Sequence, residues 1–219
     1  NVWTRLYAAS LEKDEGSDSK EVDLDSTAII LGADTELFEP LRLGFSLATS
    51  NNSFDTDENN EGKQSSLFMG LYSSYVIGNF TTDFSLGYGY HDNSTKRIVD
   101  IPYIKYSSGE DFNSSSFQTH LGARYHFKIA DFLISPNIGL DYFTLQNDDF
   151  SENSGSKLDL DIHDTHEEQL TSTLGSSVSG LLKAGNVDIR PVLELGWKHR
   201  FIDDENSITA NFSSYEDSP

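Results

Sequence analysis

The amino-acid sequence predicts an all-β fold, an antiparallel transmembrane β-barrel of the outer-membrane type. Three observations carry that expectation: long segments that alternate apolar and polar residues, connections that alternate short and long, and aromatic residues gathered towards the ends of the apolar rows. Successive side chains of a pleated strand point to opposite faces, so such a segment is a ribbon with one oily and one polar face. Crossing a bilayer's hydrocarbon takes about nine to eleven tilted strand residues, against about five or six in an ordinary globular strand.

Nine alternating segments follow one another along the chain, at residues 2–11, 26–37, 41–50, 65–77, 80–91, 117–127, 132–143, 170–182 and 187–201. The first, second, fourth and eighth alternate less cleanly than the others. In the third, Leu41, Leu43, Phe45 and Leu47 oppose Arg42, Gly44, Ser46 and Ala48. In the fifth, Phe80, Phe84, Leu86, Tyr88 and Tyr90 oppose Asp83, Ser85, Gly87, Gly89 and His91. The sixth sets Phe117, Leu121, Tyr125 and Phe127 against Gln118, His120, Gly122 and Arg124, and the seventh sets Ile134, Ile138, Leu140 and Tyr142 against Ser135, Asn137, Gly139 and Asp141. In the ninth, Val187, Ile189, Leu193, Leu195, Trp197, His199 and Phe201 oppose Asp188, Arg190, Glu194, Lys198 and Arg200. No helical stripe is sustained anywhere.

Residues 38–40, 78–79, 128–131 and 183–186 are expected to be tight turns. Residues 12–25, 50–63, 92–111 and 146–168 are rich in Asp, Glu, Asn, Ser and Gly, and are expected to be long solvated loops. Short turns at one end and long loops at the other are what an outer-membrane barrel shows, with the long loops extracellular. Tyr88, Tyr90, Tyr125, Phe127, Tyr142, Trp197 and Phe201 would form the aromatic girdles.

Composition sets the bounds. The chain has 219 residues, of which 36% are hydrophobic, a fraction that suits a barrel whose strands spend half their residues on a polar lumen. No apolar run approaches the roughly 18 residues of a membrane helix. A formal net charge of -21 argues against nucleic acid or an anionic membrane surface as partner. With no cysteine, disulfides and thiolate metal sites are ruled out. Residues 1–10 have neither a basic start nor an apolar block, so any export signal is expected upstream.

Taken in order, VWTRLYAAS, AIILGADTEL with LRLGFSLATS, LFMGLYSSY with FSLGYGYHD, HLGARYHF with ISPNIGLDY, and RPVLELGWKHRF make the chain resemble the C-terminal β-domain of Gram-negative autotransporters, the translocator barrel of type V secretion. The resemblance runs across essentially all of residues 1–219. It implies a barrel with about nine of an expected twelve strands present, the lumen-plugging helix and the last strands being absent from a domain that is then incomplete. It also implies a function, anchoring an N-terminal passenger in the outer membrane of a Gram-negative bacterium and helping it to the cell surface. The partners implied are outer-membrane lipid, the protein's own passenger and the barrel-assembly machinery.

Arg5, Asp34, Arg42, Asp83, His120, Arg124, Asp141, Asp188, Arg190, Glu194, Lys198 and Arg200 are expected to line a hydrated, ion-paired lumen. Leu41, Leu43, Phe45, Phe84, Leu86, Tyr88, Leu121, Ile138, Leu140, Leu193, Leu195 and Trp197 are expected to face lipid. Gly44, Gly87, Gly89, Gly122, Gly139, Gly175 and Gly196 fall on the lumen side. They either leave room for a guest backbone or relieve crowding as the sheet coils.

Other chemistry is weaker. Asp159, Asp161, His163, Asp164, His166, Glu167 and Glu168 are metal-ligating types, but their spacing is not that of a closed site, and a solvated acidic loop is expected. His91, Asp92 and Asp83 superficially resemble the rim residues of an outer-membrane hydrolase, yet no second cluster or nucleophile motif accompanies them. In autotransporters that cleave their passenger, lumen acids take part, and Asp83, Asp141 and Glu194 would be such acids; with the helix missing, no catalytic residue is assigned. Neither a cofactor nor a metal is expected, and the chain is expected not to be an enzyme. The nearer alternative is a porin-like or small channel barrel, in which a long loop such as residues 92–111 folds inward; its IVDIPYIKY stretch alternates enough to extend a hairpin instead.

Overall fold

The computed structural model describes residues 1–13, 22–56, 60–184, 187–203 and 209–213. Every regular element among them is a strand. In chain order these are β1 (Val2–Lys13), β2 (Val22–Phe38), β3 (Leu41–Thr56), β4 (Glu61–Ile77), β5 (Phe80–Ile101), β6 (Ile104–Tyr125), β7 (Phe127–Ile129), β8 (Phe132–Asn147), β9 (Phe150–Ser151), β10 (Leu160–Ile162), β11 (Thr165–Gly180), β12 (Leu182–Ala184), β13 (Val187–Ile189), β14 (Val192–Asp203) and β15 (Ala210–Phe212).

The nine long strands form one antiparallel meander in the order β1-β2-β3-β4-β5-β6-β8-β11-β14, with β7 also paired to β8. At the turn between β4 and β5 Gly78 takes φ +57°, which glycine adopts without steric cost, whereas between β7 and β8 Ala130 takes φ 53°, a conformation its own residue type does not favour. Among the described residues β1 and β14 each pair on one side only.

The strands outrun the sequence-based boundaries. β3 continues to Thr56 and β4 begins at Glu61, so most of the 50–63 loop is sheet. The correction is largest at 92–111, where β5 and β6 are 22 residues each and meet at Pro102 and Tyr103, the latter with φ 74°. Backbone pairing satisfies these polar segments as well as solvent would, and IVDIPYIKY already carried the alternation. The 12–25 loop shrinks in the same way, because Lys13 pairs with Val22. Residues 146–168 begin and end as strand and fold between as β9 and β10, which join β15 in a separate small sheet. The ninth predicted segment is broken. β13 pairs with β12 in a hairpin of its own, and the chain rejoins the large sheet only at Val192, beyond Arg190 and Pro191. Proline's missing N–H explains the break. Of the turn predicted at 183–186, residues 185 and 186 lie outside the described residues.

Register fixes the two faces. One row reads Thr35–Leu43–Ser73–Phe84–Leu121–Leu140–Ser172–His199, and its neighbour reads Asp34–Gly44–Tyr72–Ser85–His120–Asp141–Thr171–Arg200 on the other side. From the row through Thr82 to the row through Tyr90 the first face is mainly apolar over β2 to β6, with serine, threonine and histidine interspersed towards β11 and β14. At ~3.3 Å per residue and a tilt of ~40° that run rises roughly 20 Å, near the ~25 Å apolar band of a membrane barrel. Above Tyr90 the same face changes to Asn51, Ser65, Asp92 and Asn113.

Packing follows from this geometry. Leu6 is 77% exposed, Leu195 70% and Trp197 62%, and Tyr106 is the single buried hydrophobic residue among those described. A sheet that leaves so many large side chains uncovered has no dry core of its own. Each would gain about 1.5–3 kcal/mol from an apolar surrounding, which a bilayer provides.

Candidate functional site: the polar face and the outer cluster

Ten of the residues expected on the lumen side share the polar face by register: Arg5, Asp34, Arg42, Asp83, His120, Arg124, Asp141, Glu194, Lys198 and Arg200. Asp188 and Arg190 do not belong to that ladder. Asp188 sits opposite Lys183 in the β12–β13 hairpin, and Arg190 lies in the break before β14. The twelve residues from Leu41 to Trp197 expected to face lipid all lie on the opposite, apolar face.

The polar face is knitted by long-range contacts. Trp3 Nε1 donates to Tyr72 Oη at 2.8 Å, and Tyr72 donates in turn to Asp34 Oδ2 at 3.2 Å. Arg42 reaches Glu36 at 2.9 Å and lies 3.7 Å from Asp34. Arg5 stands 5.4 Å over the Trp3 ring. His120 bridges two strands, with Nδ1 2.7 Å from Asp141 Oδ1 and Nε2 2.8 Å from Asp83 Oδ2. Both ring nitrogens face acceptors, an arrangement satisfied by a ring carrying hydrogen on each. The geometry makes this an orienting network of charge-assisted bonds.

The glycines have a clear use. An added Cβ on Gly44 would lie 2.1 Å from the Tyr72 ring, and on Gly32 it would lie 2.2 Å from the Trp3 ring. Gln118 covers Gly87, Phe68 and Ser116 cover Gly89, and Asp83 with His120 covers Gly122. The room over Gly44, Gly87, Gly89 and Gly122 is therefore taken by the chain's own side chains. Aromatic rings lying on strand glycines restore contacts that glycine lacks. Gly196 is more open, its nearest neighbour being 3.8 Å away.

The hydrolase-like set is not assembled. His91 is buried, with Nδ1 2.8 Å from Ser66 Oγ and Nε2 2.9 Å from Ser116 Oγ, and its ring meets Phe68 edge-on. Asp92 points to the opposite face, and Asp83 is bonded to His120 instead. The acidic stretch near 159–168 is pulled apart as well. Asp159 is buried and binds Tyr106 and Ser154, while His166 and Glu168 pair with each other at 3.2 Å, so the expectation of a uniformly solvated loop fails at Asp159. Among the described residues no group of three His, Asp or Glu side chains could hold a metal ion.

Sequence alone missed the outer cluster around Tyr106. Arg97 Nε donates to Glu152 Oε1 at 2.9 Å, its Nη2 contacts Glu152 Oε2 more closely, and Nη2 also donates to the Leu158 carbonyl at 2.8 Å. The guanidinium lies 4.9 Å over the Tyr106 ring. Tyr106 Oη is 2.7 Å from Glu152 Oε2 and 2.8 Å from Asp159 Oδ1, so one hydroxyl hydrogen serves two carboxylates. Burial pushes the Glu152 carboxyl up, but bonds from Arg97, Tyr106 and the Leu160 amide outweigh it and hold it below its ordinary value. Asp159 is held low by the Ser154 hydroxyl, against desolvation, with help from Tyr106 and two backbone amides. The signal was the alternation through residues 97–106, but nothing in that stretch names its partner 46 residues on, at Glu152.

These faces, rows and loops match known proteins. Residues 2–219 match the autotransporter β-domain family. The chain belongs to that family. This β-domain is similar in fold to the translocator domain of the autotransporter NalP from Neisseria meningitidis, with TM-score 0.74, 15% identity, and coverage of 95% of this chain and 70% of the other. The transport unit of the autotransporter AIDA-I from Escherichia coli gives TM-score 0.67 at 14% identity, covering 98% and 73%. The β-domain of the Bordetella autotransporter BrkA gives 0.64 at 16%, covering 91% and 78%. By sequence, the β-domain is 22% identical over 200 residues to an extracellular serine protease of Serratia marcescens; that match takes in 91% of this chain and 19% of the relative's length. The β-domain is thus, by family, an autotransporter translocator of the type V secretion class, with the fold of the outer-membrane translocator barrels.

Proposed function

We propose that the apolar face, including Leu43, Phe45, Phe84, Leu121, Leu140, Leu195 and Trp197, touches lipid tails, and that the polar face walls an aqueous lumen through which the protein's own N-terminal passenger is delivered. The supporting observation is the coincidence, over β2 to β6 of one meander, of a mainly apolar face roughly 20 Å tall with a face behind it rich in glycine, serine and charge. The unpaired outer edges of β1 and β14 are costly in lipid, which supports closure by further strands in the assembled barrel. Trp3, Tyr72 and Asp34 stiffen the wall near the turn end, and His120 with Asp83 and Asp141 cross-links its middle. Insertion by the barrel-assembly machinery is part of the same proposal, carried by family membership alone. The decisive experiment is surface display. In full-length protein on intact cells, passenger exposure to external protease should be lost with Leu43→Arg and Leu195→Arg and retained with Ser46→Arg. Equal loss with all three substitutions would refute the assignment of faces.

A further inference from the structure

Residues 148–164 do not hang from the sheet as a free loop. They fold back through β9 and β10, take β15 as a third strand, and pack on the polar-face side of the long β5–β6 hairpin. Phe150 stacks on Phe112 with ring centroids 4.5 Å apart and planes 8° from parallel. The Asn153 amide donates to Glu110 Oε1 at 2.9 Å, and Arg97 clasps Glu152 from the hairpin side. Ser213 N donates to the Asp159 carbonyl at 2.9 Å, and His163 N donates to the Thr209 carbonyl at 3.1 Å, so two separate connections are stitched together.

The side on which this happens matters most. Phe112, Glu110 and Arg97 continue upward the row of β5–β6 positions that lower down carries Gln118, His120 and Asp83. A segment packed against the upper part of that wall stands on the same side as the polar face below it. Its attachment is mainly polar. The Phe112–Phe150 stack, the half-buried Arg97–Glu152 pair and hydrogen bonds from Tyr106 and Asn153 hold it, and polar fastenings of a solvent-facing loop open locally at less cost than a packed core.

We infer that residues 148–164 are an extracellular cap that shuts the barrel mouth at rest, with Arg97 and Glu152 as its latch. The inference rests on the translocator reading and adds a gate to it. The cap leaves the wall when a polypeptide emerges and returns afterwards, because its partners are fixed on a hairpin that stays paired throughout.

The test uses full-length protein on intact cells. The β-domain has no cysteine, so Gln118→Cys places one thiol on the exposed polar face below the cap, and Leu121→Cys places one on the apolar face. A membrane-impermeant maleimide should label Gln118→Cys slowly in the otherwise unchanged protein and several-fold faster after Arg97→Ala. Phe150→Ala removes the stack without touching the charges and should act in the same direction. The swap of Arg97→Glu with Glu152→Arg should restore slow labelling. Labelling that stays slow while external protease newly nicks residues 148–164 would overturn the cap, leaving translocation intact. Labelling and nicking both unchanged would overturn the latch. If, in the Arg97→Ala background, Leu121→Cys labels as readily as Gln118→Cys, the sidedness of the barrel fails, and the gate fails with it.

Discussion

The lower and upper halves of the β5–β6 hairpin are the same two strands in unbroken register and leave the same face uncovered, yet that face is apolar below and polar above. Below Tyr90 the face bearing Phe84, Leu86, Leu121 and Phe117 is exposed to whatever surrounds the barrel, and the reverse face carries glycine, serine and hydrogen-bonded charge. Above it the outer face is Asp92, Ser94 and Lys96, and the reverse face holds the buried Tyr106 and Ser108 under the 148–164 segment. A strand's alternation sets which residues share a face; the medium on each side sets which face is covered. The lower ribbon carries its large apolar side chains on the uncovered face, the arrangement a lipid surrounding would favour, and the upper ribbon carries polar ones there, as a ribbon in water does.

The largest expected break in that comparison is an arginine on the lower apolar face. Leu43→Arg or Leu195→Arg should cost about 2–4 kcal/mol near mid-depth, measured by reversible unfolding in bilayers, while Ser46→Arg on the polar face should cost much less. Next comes Arg97→Ala, which leaves Glu152 buried beside Asp159. Removing one partner of a buried pair costs about 3–5 kcal/mol, and the partial exposure of Arg97 reduces that to about 2–3 kcal/mol, read as local opening by hydrogen exchange at the Leu160 amide. Gly44→Val must displace the Tyr72 ring, an overpacking cost of about 1–3 kcal/mol, and should quench the bond from Trp3, visible as a shift in tryptophan emission.

Acid should loosen the 148–164 segment on the upper half. Glu152 and Asp159 have lowered values when folded, so their contribution is complete above the ordinary carboxylate range and is lost as pH falls through the folded values. Nicking of residues 148–164 by an acid-active protease should stay flat down to about pH 4 and rise below it. A cap that loosens instead near neutral pH would point to a histidine. The smallest effect is expected at the exposed Lys96–Glu61 pair, 3.0 Å apart, where Lys96→Ala should change stability by about 0–1 kcal/mol and less in salt.

Strand existence, face and order followed from alternation because neighbours along a meander are neighbours in sequence, so each segment reports its own two faces locally. The 92–111 stretch shows the limit. Its Asn, Ser and Asp content has the composition of solvated loop, but hairpin pairing across Pro102 and Tyr103 depends on a partner strand and not on apolar content. Pro191 gave the opposite error, since the alternation of residues 187–201 ran straight over a residue unable to donate to the ladder.

The sequence by itself determined a meander of long two-faced strands, which residues of the large sheet share a face, and the tight turns within residues 38–40, 78–79 and 128–131, because period-two patterning and turn chemistry are local. Only the tertiary structure decided that Trp3 lies over Gly32 to reach Tyr72, that His120 joins Asp83 to Asp141, and that Arg97 and Tyr106 meet Glu152 and Asp159. Those contacts depend on strand register and on how a distant loop folds back. Both are set by the summed pairing of whole strands and by the closure of chain between them, which no single segment encodes.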